Sequence, residues 1–139
     1  MIEKASLEDL DDVYELICVL ENKDINREHF NQVYKDGLNN KDVIFLVYRK
    51  EKVLGFLSFY VHHYLHHHKD TGEIVELVVS PEYRGLRIGD CLIKEIESIA
   101  RSLNLEQIEL STSTYRLKAH QFYEKHGYEK GHYNYTKDL

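Results

Sequence analysis

One stretch, residues 72–111, restricts the possible folds more than anything else in the chain. Gly72 to Val79 is a mostly apolar run that Pro81 ends. A turn over Pro81–Gly85 follows. Apolar residues then recur at helical spacing, Ile88, Leu92, Ile96, Ile99 and Leu103, with Asp90, Lys94, Glu97 and Arg101 pointing the other way. Gln107 to Ser111 reads again as a strand. Strand, long helix, strand is a β-α-β unit, so its two strands run parallel through a right-handed crossover. The loop before the helix then lies at the carboxyl end of a strand, where open α/β sheets bind ligands.

The remaining segments supply antiparallel neighbours. Ile2 to Ala5 suits a short strand, and Ser6 an N-cap with Glu8 and Asp9 in the first turn. Val13, Leu16, Ile17 and Leu20 follow at i, i+3, i+4 and i+7, marking one helix. A second helix spans Arg27 to Leu38. Val43–Arg49 and Val53–Val61 read as a hairpin around the charged Lys50–Lys52. Ala119, Phe122, Tyr123 and His126 share a helical face that Gly127 stops, and Tyr128 to Thr136 reads as a last strand. The expected order is β-α-α-β-β-β-α-β-α-β, an α/β sandwich on a mixed sheet. Its 139 residues suit a single domain over 1–139.

Composition excludes several classes of function. No apolar run approaches the ~18 residues of a membrane span, and the first residues are not a signal peptide. Two cysteines, Cys18 and Cys91, are too few for a disulfide scaffold and fit a reducing, cytoplasmic setting. A net charge of −6 argues against nucleic acid as a partner. Sheet continuation through Tyr133–Thr136 would suit a homodimer.

Within this acidic chain the loop Tyr83–Asp90 is locally cationic. Gly85 and Gly89 let backbone approach a ligand, and free N–H groups at a helix start favour phosphate. Arg84 and Arg87 add fixed positive charge. A tight turn with solvated arginines would have the same sequence. The segment PEYRGLRIGDCLI nevertheless resembles the pyrophosphate-binding signature of the GCN5-related N-acetyltransferases (GNAT), Arg/Gln-x-x-Gly-x-Gly/Ala. Arg84 and Gly89 match its ends, and Arg87 stands at the usual middle glycine. AHQFYEKHGY resembles the family's fourth-helix motif, with Arg116 where an asparagine is common. LHH at 65–67, GEIVELVVSPEYRGL at 72–86, ELST at 109–112 and the GYEKGHYNYTKDL tail are similar to the aminoalkylphosphonate N-acetyltransferases.

The resemblance implies the GNAT fold, a mixed and mostly antiparallel sheet with a central parallel β-α-β coenzyme-binding unit. It implies acetyl-coenzyme A as cosubstrate and a small primary amine as acceptor, an aminoalkylphosphonate first, acetylated by direct attack on the thioester. It places the pantetheine arm along Leu77, Val78 and Val79, with the Val78 N–H at the thioester carbonyl. The pyrophosphate would lie on Arg84, Gly85, Leu86, Arg87, Ile88, Gly89 and Asp90.

Acetyl transfer also needs a base for an amine whose pKa is about 10 and a proton for the leaving thiolate. Glu73 and Glu76 lie on the strand before the loop, and strand alternation puts them on opposite faces unless a bulge intervenes. Glu76, nearer the loop and interrupting the run VELVV, is the favoured base; pairing with a neighbouring strand is the plainer reading. Tyr123 is the candidate acid by resemblance, and a core aromatic by its stripe alone. Five of nine histidines fall within residues 62–68. His66 and His68 could share a face toward a divalent metal. His66, His67, Arg116 and His120 could hold an anionic substrate. A peptide N-acetyltransferase and a non-catalytic acyl-coenzyme A-binding regulator are the alternatives.

Overall fold

A computed structural model describes all 139 residues. In chain order the elements are β1 (Ile2–Lys4), α1 (Leu10–Glu21), α2 (Arg27–Leu38), β2 (Val43–Arg49), β3 (Val53–His62), β4 (Thr71–Val79), α3 (Ile88–Ser102), β5 (Ile108–Leu110) and α4 (Leu117–Lys125). Single 3-10 turns at Leu7–Asp9 and Pro81–Tyr83 lead into α1 and the α3 loop. No helix is long and apolar enough to cross a membrane. The chain divides into two compact units, Met1–Glu109 and Leu110–Leu139.

In the first unit the strands lie in the order β1-β2-β3-β4-β5. β1 to β4 are antiparallel neighbours, paired for example at Glu3 with Val47, Val47 with Phe56, and Phe56 with Val78. The last pairing has the other polarity. Glu106 N–H donates to the Asp70 carbonyl, and Gly72 N–H donates to that of Gln107, so both chains ascend together. The sheet is therefore mixed, as expected of a β-α-β unit.

Each face of the sheet is covered by helix because each helix has an apolar stripe. Val13, Leu16 and Ile17 of α1 and Tyr34 of α2 pack with Phe45, Val47, Phe56 and Val78 on one face. α3 buries Ile88, Leu92, Ile93, Ile96 and Ala100, and Ile88 and Leu92 press against β3 at Gly55 on the opposite face. Each such leucine or isoleucine contributes roughly 1.5–3 kcal/mol when fully buried. Asn26 caps α2 by accepting the His29 N–H at 2.8 Å. The buried Asp9 carboxylate is held at 2.7 Å by Arg49, whose guanidinium also pairs with Glu3.

In the second unit α4 ends as its sequence predicts. His126 is the C-cap, and Gly127 follows in the left-handed region at φ +89°. Tyr128 N–H reaches the Tyr123 carbonyl at 3.1 Å and Gly127 N–H that of Glu124 at 3.0 Å, the two bonds of a Schellman turn.

The expected last strand, Tyr128 to Thr136, does not form. From Tyr128 onward the chain has neither helix nor strand, and Tyr133 and Tyr135 are 91% and 90% exposed. Alternation makes a strand only where a ladder partner and a burying surface reinforce it. β5 is accordingly last in the sheet, and the parallel pair stands at its edge rather than its centre.

Candidate active site

The ladder between β3 and β4 carries one irregularity. Ser58 pairs with Glu76, and the next pair is Phe59 with Ile74, so Val75 opposes no residue. This is a β-bulge. It resolves the placement of the two glutamates: with Val75 absorbed, Glu73 and Glu76 both point to the face that carries Ser58 and Tyr60. That is the α1 and α2 face.

Glu76 is half-buried there. Its carboxylate accepts the Ser58 hydroxyl, and its own N–H donates to Ser58 Oγ at 2.9 Å. Burial pushes the Glu76 pKa above the usual carboxylate range; the Ser58 hydrogen bond opposes this, while Glu21 of α1 and Glu73 add to it. Tyr60 is likewise pushed up, first by burial and then by Glu76 and Glu73. Glu73 has a different partner, His62 Nε2 at 2.8 Å.

Beyond the bulge, Leu77, Val78 and Val79 pair with Leu57, Phe56 and Gly55 of β3. On the other side β5 is only three residues long, and the Gly72–Gln107 contact sets it beside the first half of β4. Backbone groups alternate in direction along a strand, so every second residue of this last stretch is engaged on the β3 side.

The loop that follows is held at its base. Ser80 N–H donates to the Leu54 carbonyl at 2.7 Å, Tyr83 N–H to that of Ser80 at 2.9 Å, and Arg84 Nε to that of Val79 at 3.4 Å. Gly85 then takes φ +85°. Arg87, at the N-cap of α3, adopts φ +63° and ψ +21°, so an arginine holds the left-handed geometry at the usual glycine. No side chain caps α3. Arg84, Gly85, Leu86 and Arg87 are exposed, Gly89 and Asp90 half-exposed, and Ile88 is buried as the anchor. The loop therefore presents two guanidinium groups beside a helix start whose first N–H groups lack intrahelical acceptors.

The histidine stretch is tied down by carboxylates distant in sequence. His63 bridges Asp42 and Asp70, each at 2.9 Å, and the Asp42 and Asp70 hydrogen bonds raise its pKa. His67 Nδ1 meets Glu106 at 2.7 Å, which holds that carboxyl below its ordinary value. Glu106 also accepts the N–H groups of His68 and Lys69 at 3.0 Å. His66 packs its ring on His67 at 4.5 Å. His66 and His68 are the metal candidates that the sequence offers. The ligand-bearing groups that converge are His62, Glu73 and Glu109, with donor atoms within 4.8 Å of one another. Their chemistry suits a divalent cation, but the His62–Glu73 hydrogen bond engages two of the three with each other.

In the second unit Tyr123 lies edge-on to Phe122 at 5.4 Å and to Tyr128 at 6.1 Å. Burial raises its pKa, with Arg116 acting in the opposite direction. His120 Nε2 lies 2.8 Å from the Ser113 carbonyl. The sequence reading missed two residues, Ser58 and His62. Ser58 left a signal, since it is the one hydroxyl in the apolar run Val53–Phe59.

Residues 10–128 match the acetyltransferase (GNAT) family. The chain is 38% identical over 139 residues to an aminoalkylphosphonate N-acetyltransferase of Salmonella typhimurium, covering 99% of this chain and 90% of that one. The crystal structure of a transcriptional regulator from Bacillus halodurans has a TM-score of 0.91 at 20% identity, over 100% of this chain and 99% of that one. For an acetyltransferase from Trypanosoma brucei the values are 0.83 and 23%, over 100% and 99%. At those identities the two structures establish the fold. With the family matched over most of its length, the protein belongs to the GNAT family and is an acyltransferase, of the kind that draws its acetyl group from acetyl-coenzyme A.

Proposed function

We propose that residues 1–139 act as one N-acetyltransferase domain that acetylates the primary amine of a small aminoalkylphosphonate. The identity of 38% with an enzyme of that name supports this acceptor. The observation that carries the catalytic reading is the bulge at Val75. It brings Glu76 onto the same face as Glu73 and into a half-buried setting where its pKa rises.

In this reading the loop Arg84–Asp90 binds the coenzyme's pyrophosphate, and Leu77–Val79 lies along its pantetheine. Glu76, ionised, takes the proton from the ammonium group, and the freed amine attacks the thioester carbonyl carbon. The C–N bond forms first, giving a tetrahedral adduct with negative charge on oxygen; the C–S bond breaks as the adduct collapses, and the second proton on nitrogen leaves to water. A backbone N–H of Leu77–Val79 that turns away from β3 stabilises the oxyanion, and Tyr123 returns a proton to the thiolate. A phenol of raised pKa is fully protonated at neutral pH, which suits a donor. His66, His67, Arg116 and His120 supply charge for the phosphonate. No step is routed through a metal.

The test is thiol release from acetyl-coenzyme A with 2-aminoethylphosphonate, with a peptide bearing a free amino terminus, and with no amine. Release dependent on the aminophosphonate is expected. Release with the peptide alone would move the assignment to a peptide N-acetyltransferase. Coenzyme binding without release to any amine would make the chain a silent regulator.

A further inference from the structure

Ser58 is only 1% exposed, and its neighbours on β3 are apolar from Val53 to Phe59. A buried hydroxyl is costly unless its hydrogen bonds are made. Ser58 makes both with one residue. Its O–H donates to the Glu76 carboxylate, and its oxygen accepts the Glu76 N–H at 2.9 Å. A hydroxyl has one donor and two acceptor positions, so the two bonds coexist. Glu76 is also the first paired residue after the bulge, where a ladder is locally disrupted and an N–H needs another acceptor.

We infer that Ser58 is the positioning residue of Glu76, one hydroxyl that clamps the bulge and fixes the carboxylate facing the substrate. The inference rests on Glu76 as the base. Ser58 is the neighbour that favours the ionised form. It acts against burial, against Glu21 on α1 and against Glu73 on the same strand, while Tyr60 stands beside both glutamates on β3. Without it the carboxylate would keep its cost of burial and lose both its anchor and its compensation.

The experiment compares Ser58→Ala and Ser58→Thr with the unaltered protein, with Ser58→Cys in reserve should the alanine variant not fold. Two quantities are read. One is the carbon-13 NMR titration of the Glu76 side-chain carboxyl, assigned by its loss in Glu76→Gln. The other is the pH profile of kcat/KM together with KM for acetyl-coenzyme A. In Ser58→Ala the NMR midpoint is expected to rise by about one pH unit, the loss of one charge-assisted hydrogen bond. The acid limb of kcat/KM should move with it, KM for acetyl-coenzyme A should stay unchanged, and Ser58→Thr should restore both curves. An NMR midpoint that stays in place in a cooperatively folded Ser58→Ala protein would overturn the inference. A midpoint that moves while the rate profile stays fixed would leave Ser58's hold on Glu76 intact and overturn the reading of Glu76 as base.

Discussion

Arg87 holds a backbone conformation that glycine adopts without cost, φ +63°, at the entrance to α3. For a residue with a Cβ the left-handed region costs about 1–2 kcal/mol. Arg87→Gly is therefore expected to be more stable than Arg87→Ala by about 1 kcal/mol, both having lost the guanidinium. Urea midpoints of the two variants check this, and equal midpoints would mean the geometry is unstrained. Glu76 gives a second case at this scale. Its folded pKa lies above the ordinary value, so its contribution to stability is full below that ordinary value and is lost as pH rises through the raised one. Glu76→Gln should match the parent's stability in acid and exceed it at neutral pH. Its kcat/KM should nevertheless fall by roughly 10²–10⁴ if a general base has been removed. Thermal melts at two pH values and one rate measurement separate the two effects.

Among the elements, those with strong internal periodicity were legible in advance. Ile88, Leu92 and Ile96 repeat at helical spacing and are buried in α3, and Gly127 stops α4 through its own turn chemistry. What depends on a partner strand was not. The bulge at Val75 is a matter of register between β3 and β4, and nothing in EIVEL says which residue will be the extra one. The His67 ring and the backbone N–H of His68 are held by Glu106, nearly forty positions away. Tyr133 and Tyr135 alternate with polar residues as a strand would, but they lack the partner that would make them one. Tight packing between elements escapes the sequence in the same way. A Cβ at Gly72 would lie 1.9 Å from Cζ of Phe59, whose ring is fully buried on the α3 face. Gly72→Ala should cost about 1–3 kcal/mol through overpacking. Gly72→Ala combined with Phe59→Leu should recover part of that loss; denaturant titration of both variants decides.

Across the whole molecule, organised structure is concentrated between Ile2 and Tyr128. Residues 129–139 are exposed and belong to no helix or strand. Removing them should shift unfolding by no more than about 0.5 kcal/mol, the range of surface changes. A larger loss in a urea titration of the shortened chain would show that the tail has a docking place. The two outermost strands of the sheet, finally, are each three residues long, and each has a charged side chain: Glu3 and Lys4 in β1, Glu109 in β5. A long, flat, apolar border would be a template for other chains to stack on, and short charged borders offer too few free backbone groups for that. Such margins favour a protein that stays dispersed at high concentration and resists fibre growth.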